Sequence, residues 1–327
     1  MTAPGVVVVG SVNRDYTVAV DHLPGPGETV LGGALSIGSG GKGANQAAAA
    51  ALLGVPCALI AAVGSDADGR ALVADLMAAG VDTGEVSVVP GVRTGSAFVL
   101  LGPDGDNSIV VAPGANGTLS PGLVTTAVQR LLGRGGVLVT QAEIPPEAAQ
   151  AAVMTAAGLG ARVVLNLAPF RPVAAGVLAL ADPLVVNEGE AGALLGRPVG
   201  ADLDARSAAA ALVGRARSVV LTVGGEGAWL ATESGATHVP VVPVEVVDST
   251  GAGDALTGVL AAALSLGHDL ATALRWGVAA GTYAVGRAGA QASYPRAGDL
   301  WATTGPIRVG LLAKIVDQRL EHPGRLL

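Results

Sequence analysis

Two carboxylates, Asp248 and Asp254, bracket the run Ser249-Thr250-Gly251-Ala252-Gly253, and the apolar stretch Ala255-Leu256-Thr257-Gly258 follows directly. The glycines let the backbone turn its N–H groups outward, and the apolar stretch reads as the start of a helix with a positive N-terminal end. Gly251, Ala252 and Gly253 then supply amides for an anion, and Asp254 supplies a general base beside it. Phosphoryl transfer to a hydroxyl needs that combination of base and anion hole. Asp248 and Ser249 also have the side chains of helix N-caps, which is the purely structural reading of the same residues.

Upstream, Gly38-Ser39-Gly40-Gly41-Lys42-Gly43-Ala44-Asn45-Gln46 opens an alanine-rich segment. Gly40, Gly41 and Gly43 permit close backbone approach, and Asn45 offers both a donor and an acceptor. The spacing of a Walker A loop is absent, and a glycine-rich helix entry fits the run equally well. Asn13 and Asp15 follow the first apolar run and project to one side of an extended chain, where they suit a hydroxyl-rich ligand; a turn or cap would also use them. Glu143, after the run Val137–Thr140, fits either a ligand contact or a cap on the next helix. Asn187 and Glu190 suit a hydrated Mg2+ reached through water, or a reciprocal capping box. The turn Thr222-Val223-Gly224-Gly225-Glu226-Gly227 suits a nucleotide phosphate or ribose, as it would suit a hairpin. The four histidines, His22, His238, His268 and His322, have no metal-ligand spacing.

These residues need a frame that brings them to one place. Short Val/Leu/Ile runs alternate with Ala-rich segments along the 327 residues, which predicts an α/β fold: a three-layer, doubly wound, mostly parallel sheet. Expected strands are Val6–Val9, Ala58–Val63, Val137–Thr140, Arg162–Asn166, Leu184–Asn187 and Ser218–Val223. Expected helices include Gly43–Leu53, Gly69–Ala79, Pro146–Gly158, Ala205–Arg215, Gly253–Leu266 and Leu270–Val285. Ligands of such sheets gather at the carboxyl ends of the strands, where the candidate residues fall. Residues 13–35 and 93–112 break the rhythm with period-two patterns, including Tyr16–Val20 and Glu28–Leu31 and a turn at Pro103-Asp104-Gly105-Asp106. They predict a small β lid on what is otherwise a single domain spanning 1–327. The last residues, Glu321 to Leu327, read as a loose tail.

Composition narrows the function classes. Hydrophobic residues make up 50% and aromatics only 2%, so Ala, Val and Leu must build the core. A net charge of -7 argues against a nucleic-acid surface. Cys57, the one cysteine, sits in an apolar run and reads as a buried strand thiol. Gly54 and Pro56 divide the apolar stretch Ala47 to Val63 into helix and strand, so no membrane span is expected, and without a basic leader at the N-terminus the cytoplasm is the expected compartment.

Taken in order, the motifs resemble the ribokinase-like (PfkB-type) family of carbohydrate kinases over nearly the whole chain. Asp248-Ser249-Thr250-Gly251-Ala252-Gly253-Asp254 resembles its C-terminal signature, and Gly40 to Gln46 its N-terminal one; Asn13, Asp15, Pro26-Gly27-Glu28-Thr29 and Glu143 point to its ribose-phosphorylating members. The resemblance implies that Asn13, Asp15, Gly41, Lys42, Gly43, Asn45 and Glu143 bind or border the sugar. It makes Asp254 the base and Gly251, Ala252 and Gly253 the anion hole, and it assigns MgATP to Asn187, Glu190, Thr222, Gly224, Gly225, Gly227, Gly253 and Val278. It further implies a monovalent cation, K+, held by Asp248, Thr250, Ala284, Arg287, Gly289 and Ser293, mostly through carbonyls and with Arg287 contributing main chain alone. The implied reaction is ATP-dependent phosphorylation of D-ribose at O5. Separately, the lid strands expose edges that need cover, which predicts a homodimer formed lid to lid. Asp15 with Asn45 favours a vicinal diol and hence ribose. Deoxyribose, fructose or adenosine kinases are the rivals within the family, and a non-catalytic sugar or nucleotide sensor is the rival outside it. Departures from the pattern are Ala255-Leu256 for a Thr-Phe pair, Leu167 for a proline and Val278 for a polar residue at the adenine.

Overall fold

The computed structural model describes residues 5–103, 107–133, 135–197 and 203–304. The centre of the expected turn at 104–106 and the expected tail at 321–327 lie outside them. In chain order the strands are β1 Val6–Val9, β2 Asn13–Ala19, β3 Ser36–Gly40, β4 Cys57–Gly64, β5 Val81–Val89, β6 Gly95–Leu101 and β7 Asn107–Ala112. They continue with β8 Val137–Gln141, β9 Arg162–Asn166, β10 Leu184–Asn187, β11 Val219–Thr222, β12 Ala228–Thr232 and β13 Gly235–Val239. The helices are α1 Lys42–Leu52, α2 Ala67–Ala78, α3 Pro121–Leu131, α4 Pro146–Gly158 and α5 Ala175–Leu178, then α6 Glu188–Leu194, α7 Ala205–Leu212, α8 Ala252–Ser265, α9 Leu270–Val285 and α10 Ala297–Thr304.

Nine strands form the large sheet in the order β13-β12-β11-β10-β9-β8-β1-β4-β5. All pairs from β5 to β11 are parallel, and β12 alone is reversed, pairing antiparallel with both β11 and β13. Both faces are covered, so β1 reads Val-Val-Val-Val rather than alternating. Val6 and Val8 pack with α1, α8 and α9, while Val7 and Val9 pack with α3 and α4 on the opposite face. Cys57 is buried at the start of β4, and burial pushes its thiol up to about 12, which removes it as a nucleophile.

The shortage of aromatics has a structural counterpart in close helix crossings. A Cβ added at Gly258 of α8 would lie 2.4 Å from Gln46 O and 2.7 Å from Ala49 Cβ of α1. One added at Gly277 of α9 would lie 2.7 Å from Leu256 O of α8. Small residues thus set the depth at which α8 sits between α1 and α9, and with it the position of the residues at its N-terminus. Among the described residues no helix is long and apolar enough to cross a membrane.

A second sheet of four strands, β3-β2-β6-β7, takes β2 from the predicted segment 13–35 and β6 and β7 from 93–112, whereas β3 lies beyond the expected bounds. The central pair β2 and β6 is parallel, and the outer pairs are antiparallel. One expectation fails here: Glu28–Leu31 forms no strand, and just after it the chain touches the sheet at the bridge Val20↔Gly32. Glu28 instead closes its own loop, accepting from Gly25 N at 2.9 Å and contacting His22 Nε2 at 2.7 Å. The strand beside β2 is the glycine-rich β3, which passes Asp15 closely: a Cβ at Gly40 would fall 2.0 Å from Asp15 Oδ2.

Candidate active site

The N-terminus of α8 is open. Its N-cap is Gly251, at φ 75 in the left-handed region, and no side chain caps it. Of the two expected caps, Asp248 is used elsewhere. Asp248 Oδ1 accepts from Thr250 N and Asp248 Oδ2 from Gly289 N, both at 2.8 Å, tying the 248–250 loop to the loop after α9. Ala252 N reaches Ser249 O at 3.3 Å, whereas the N–H groups of Gly251 and Gly253 have no acceptor among the described residues. Two unengaged amides on a helix N-terminus are an anion site in the chemical sense.

Asp254 sits on the first turn of α8, buried, with both carboxylate oxygens held by amides. Asn45 Nδ2 donates to Oδ2 at 2.9 Å and Gln46 Nε2 to Oδ1 at 2.8 Å. A buried relay fixes those amides: Gln46 Nε2 also donates to Asn166 Oδ1, Gln141 Nε2 to Gln46 Oε1, and Gln291 Nε2 to Asn45 Oδ1. Asn45 is therefore committed to Asp254 and Gln291, which leaves it less free to share a diol with Asp15 than the sequence suggests.

Asp15 on β2 has a buried Oδ1 with no hydrogen-bond partner among the described residues. Burial, reinforced by the charges of Glu143 and Asp254 and opposed by Arg14 and Lys42, pushes its carboxyl up to about 7. The unfolded chain releases this proton near 3.8 and the folded chain only near 7, so Asp15 favours folding below 3.8 and that contribution is lost as pH rises to 7. Glu143 Oε2 accepts from Ser11 Oγ at 2.6 Å and from Lys42 N at 3.1 Å. Asn13 is locked by Asn116, whose Nδ2 donates to Asn13 Oδ1 at 2.7 Å. Asp254 is the strongest influence holding the Lys42 ammonium protonated; burial opposes it, and Glu143, Glu190 and Asp15 add to it. One cation thus faces acids from four elements or their ends.

Gly43 has a packing role. A Cβ there would lie 2.5 Å from backbone atoms of Gly10 and Ser11, and its N–H reaches Ser11 Oγ at 3.4 Å, so this glycine packs α1 against the end of β1. Gly41, at φ 87, sits against the backbone of Ser11 to Asn13 in a similar way.

Beyond α8 lies a cavity of about 610 Å³ whose lining includes Thr222, Gly224, Gly225, Gly227, Gly253 and Val278. Its remaining walls are largely apolar, with Val242, Val244, Val246 and Leu256 prominent, which suits a flat base. Asn187 and Glu190 do form the capping box: Glu190 N donates to Asn187 Oδ1 and Asn187 N to Glu190 Oε2, each at 2.8 Å. They lie outside that cavity lining, and the outer oxygen Oε1 is what Glu190 has left to offer a ligand. Burial raises the Glu190 carboxyl above its usual range.

Of the residues expected at the cation, Asp248 is bonded to Thr250 and Gly289 as above. Val247 N and Asp248 N both donate to Val285 O, and Arg287 N donates to Ala284 O at the end of α9. Ser293 Oγ donates to Ala290 O at 2.7 Å. The Arg287 guanidinium lies over the Tyr283 ring, 3.5 Å from its centroid, so only its main chain is free for a cation. Burial tends to raise Asp248, but hydrogen bonds from Thr250 and Gly289 outweigh it and keep the carboxyl below its usual range. Among the described residues no group of three or more His, Cys, Asp or Glu forms a divalent-metal cage.

The sequence reading did not single out Ser11, Gln46, Asn116, Asn166 or Gln291. Gln46 ends the glycine-rich run, Ser11 lies between the first strand and Asn13, and Asn166 closes a predicted strand. For Asn116 and Gln291 no sequence signal exists.

The model for pfkB family carbohydrate kinases matches residues 3–297. The chain belongs to that family. It is 34% identical over 291 residues to a ribokinase of Haemophilus influenzae, covering 89% of this chain and 95% of that protein. A deoxyribokinase of Salmonella typhi is also 34% identical, over 292 residues, with 89% and 95% covered. An Arabidopsis thaliana ribokinase solved in complex with ribose and ATP superposes with a TM-score of 0.81 at 30% identity, covering 92% of this chain and 99% of that one. Family membership accords with the open helix terminus and its adjacent acid.

Proposed function

We propose that the protein is an ATP-dependent kinase that phosphorylates D-ribose at O5. The observation that carries this reading is Asp254, clamped by Asn45 and Gln46 beside the open amides of α8. On one side lie the acids Asp15 and Glu143, and on the other the apolar cavity. Asp254 takes the proton from the sugar's primary hydroxyl as it attacks. The amides of Gly251 and Gly253, with Ala252 less freely available, receive the oxygens of the transferred phosphoryl group. Asp15, Asn13, Lys42 and Glu143 hold the sugar's other hydroxyls, with the unpartnered Asp15 Oδ1 as acceptor. The cavity takes ATP, its base between Val278 and the valines of residues 242–246.

Mg2+, when bound, neutralises phosphate charge; a hydrated ion fits Glu190, which retains one carboxylate oxygen near Lys42. The single carboxylate of Asp248 with carbonyls of Thr250, Ala284, Arg287, Gly289 and Ser293 makes an all-oxygen, singly charged donor set, which suits K+. Its position against the 248–251 loop lets it set the charge of the anion hole. The exposed apolar side chains Ile37, Phe98 and Val110 share one face of the small sheet and support a homodimer formed there; a monomeric mass by light scattering would count against it. The cytoplasm remains the proposed compartment.

A coupled ADP-release assay over ribose, deoxyribose, fructose and adenosine, run in K+ and then in Na+, tests the reading. Ribose should give the highest kcat/KM, and Na+ should lower the rate; a preference for another acceptor would reassign the substrate. Deoxyribose is the second reading, motivated by the equally similar deoxyribokinase.

Asp15 gives the site a pH dependence. Its carboxyl sits near 7 without sugar, and the ionised form accepts hydroxyl hydrogens best. The KM for ribose should rise as pH falls from 8 to 6, by up to about tenfold per unit below 7, and Asp15→Asn should flatten the profile at a higher KM. A KM independent of pH in the wild type would remove Asp15 from sugar binding.

A further inference from the structure

Tyr294, which follows the 3-10 turn Gln291–Ser293, is a phenol with no task in the scheme above. It is 5% exposed, and its hydroxyl is buried with no hydrogen-bond partner among the described residues. Leaving such a donor unpaired disfavours folding, and phenylalanine would fill the same space without that cost. The hydroxyl is also sharply placed. A Cβ added at Gly251 would lie 2.5 Å from it, so it occupies the side of that glycine, the N-cap of α8, where a side chain would project. Asp254 and Asp15 both act on the phenol electrostatically, so it faces the region between the base and the sugar residues. The same 3-10 turn reaches the base from another direction through Gln291, which holds Asn45.

We infer that the Tyr294 hydroxyl donates a hydrogen bond to the phosphoryl group being transferred, as a side-chain member of the anion hole alongside the Gly251 and Gly253 amides. The acceptor arrives with the substrates, which explains why the unliganded site tolerates an orphaned hydroxyl. The placement favours the phosphoryl oxygens over the sugar, because the hydroxyl abuts the anion-binding glycine itself. Gly251 is required on this account for two reasons: its left-handed φ, and the room its missing side chain leaves for the phenol. The inference rests on the proposed kinase reaction.

The test is Tyr294→Phe, assayed with ribose and MgATP beside the wild type. A donor used only as charge builds on the phosphoryl group should lower kcat, by about tenfold or more given what one anion-hole donor contributes elsewhere. The KM for ribose should stay within about twofold. Binding of ribose with ADP and aluminium fluoride, a mimic of the phosphoryl group in flight, should weaken by a similar factor, while ADP alone binds unchanged. Thermal stability of the unliganded variant should equal or exceed that of the wild type, which a merely structural tyrosine would not allow. A kcat within twofold of wild type, or a loss confined to the KM for ribose, would overturn the inference while leaving the kinase reading intact. Wild-type protein inactive towards all four acceptors would overturn both.

Discussion

Asp254→Asn is expected to lower kcat for ribose phosphorylation by about 10²–10⁴-fold, with the KM for ribose changed far less. The loss follows from removing the one acceptor placed to take the O5 proton beside the α8 amides. The structure adds a second consequence. Both Asp254 oxygens accept from amide NH2 groups, Asn45 at 2.9 Å and Gln46 at 2.8 Å. An asparagine there offers one acceptor and one donor, so an NH2 group meets an NH2 group. Neither neighbour flips cheaply: Asn45 Oδ1 accepts from Gln291, and Gln46 Oε1 accepts from Gln141. The variant should therefore lose stability by about 1–3 kcal/mol, the cost of one unsatisfied buried donor, which a shift in the urea midpoint would measure. Turnover near the wild-type rate in the folded variant would remove Asp254 as the base. A normal kcat with a raised KM would recast it as a sugar contact.

The relay behind that prediction marks where sequence reading stops. The alternation of apolar runs and Ala-rich segments was enough to place β1, β9, β10, α4 and α9 with their observed ends. It works because a strand buried on both faces has nothing to alternate with. The edge of the sheet was harder: β5, with Val-Asp-Thr-Gly-Glu-Val-Ser-Val-Val, is partly wet and went unread. β3 is the instructive failure. Ser-Ile-Gly-Ser-Gly has weak strand propensity, yet it pairs with β2, and the glycine at position 40 clears the Asp15 carboxylate. The neighbouring Glu28–Leu31 has better strand residues but bonds within its own loop. In the active site, the acids and glycines were legible because their chemistry is local to a motif. Asn116 and Gln291 were not, since each acts through a partner more than 100 residues away. Tyr294 lies beside a residue the family resemblance singled out, yet only its position against Gly251 gives its hydroxyl a meaning.

Gly258→Ala should cost about 10²-fold in activity although residue 258 is four positions from the base and meets no substrate. Positions 254 and 258 share one face of α8, the face turned to α1. There the new methyl would lie 2.4 Å from Gln46 O and 2.7 Å from Ala49 Cβ, well inside contact distance. Neither neighbour is a flexible side-chain tip, so α8 and α1 must separate, by something on the order of 1 Å. Gln46 is the residue pushed, and its side chain orients Asp254, so the base moves relative to both the sugar and the anion hole. Alanine is the better helix former by roughly 1 kcal/mol, yet overpacking of this kind costs about 1–3 kcal/mol, and the net effect is a loss of stability. Gly192 in α6 supplies the control. It too is a buried helical glycine, but a Cβ there meets nothing within 4 Å, so Gly192→Ala should keep full activity and equal or greater stability. The paired measurement is a urea midpoint and kcat/KM for each variant. If Gly258→Ala instead gained stability and kept its activity, the crossing would be looser than the geometry indicates, and small residues would not set the position of the base.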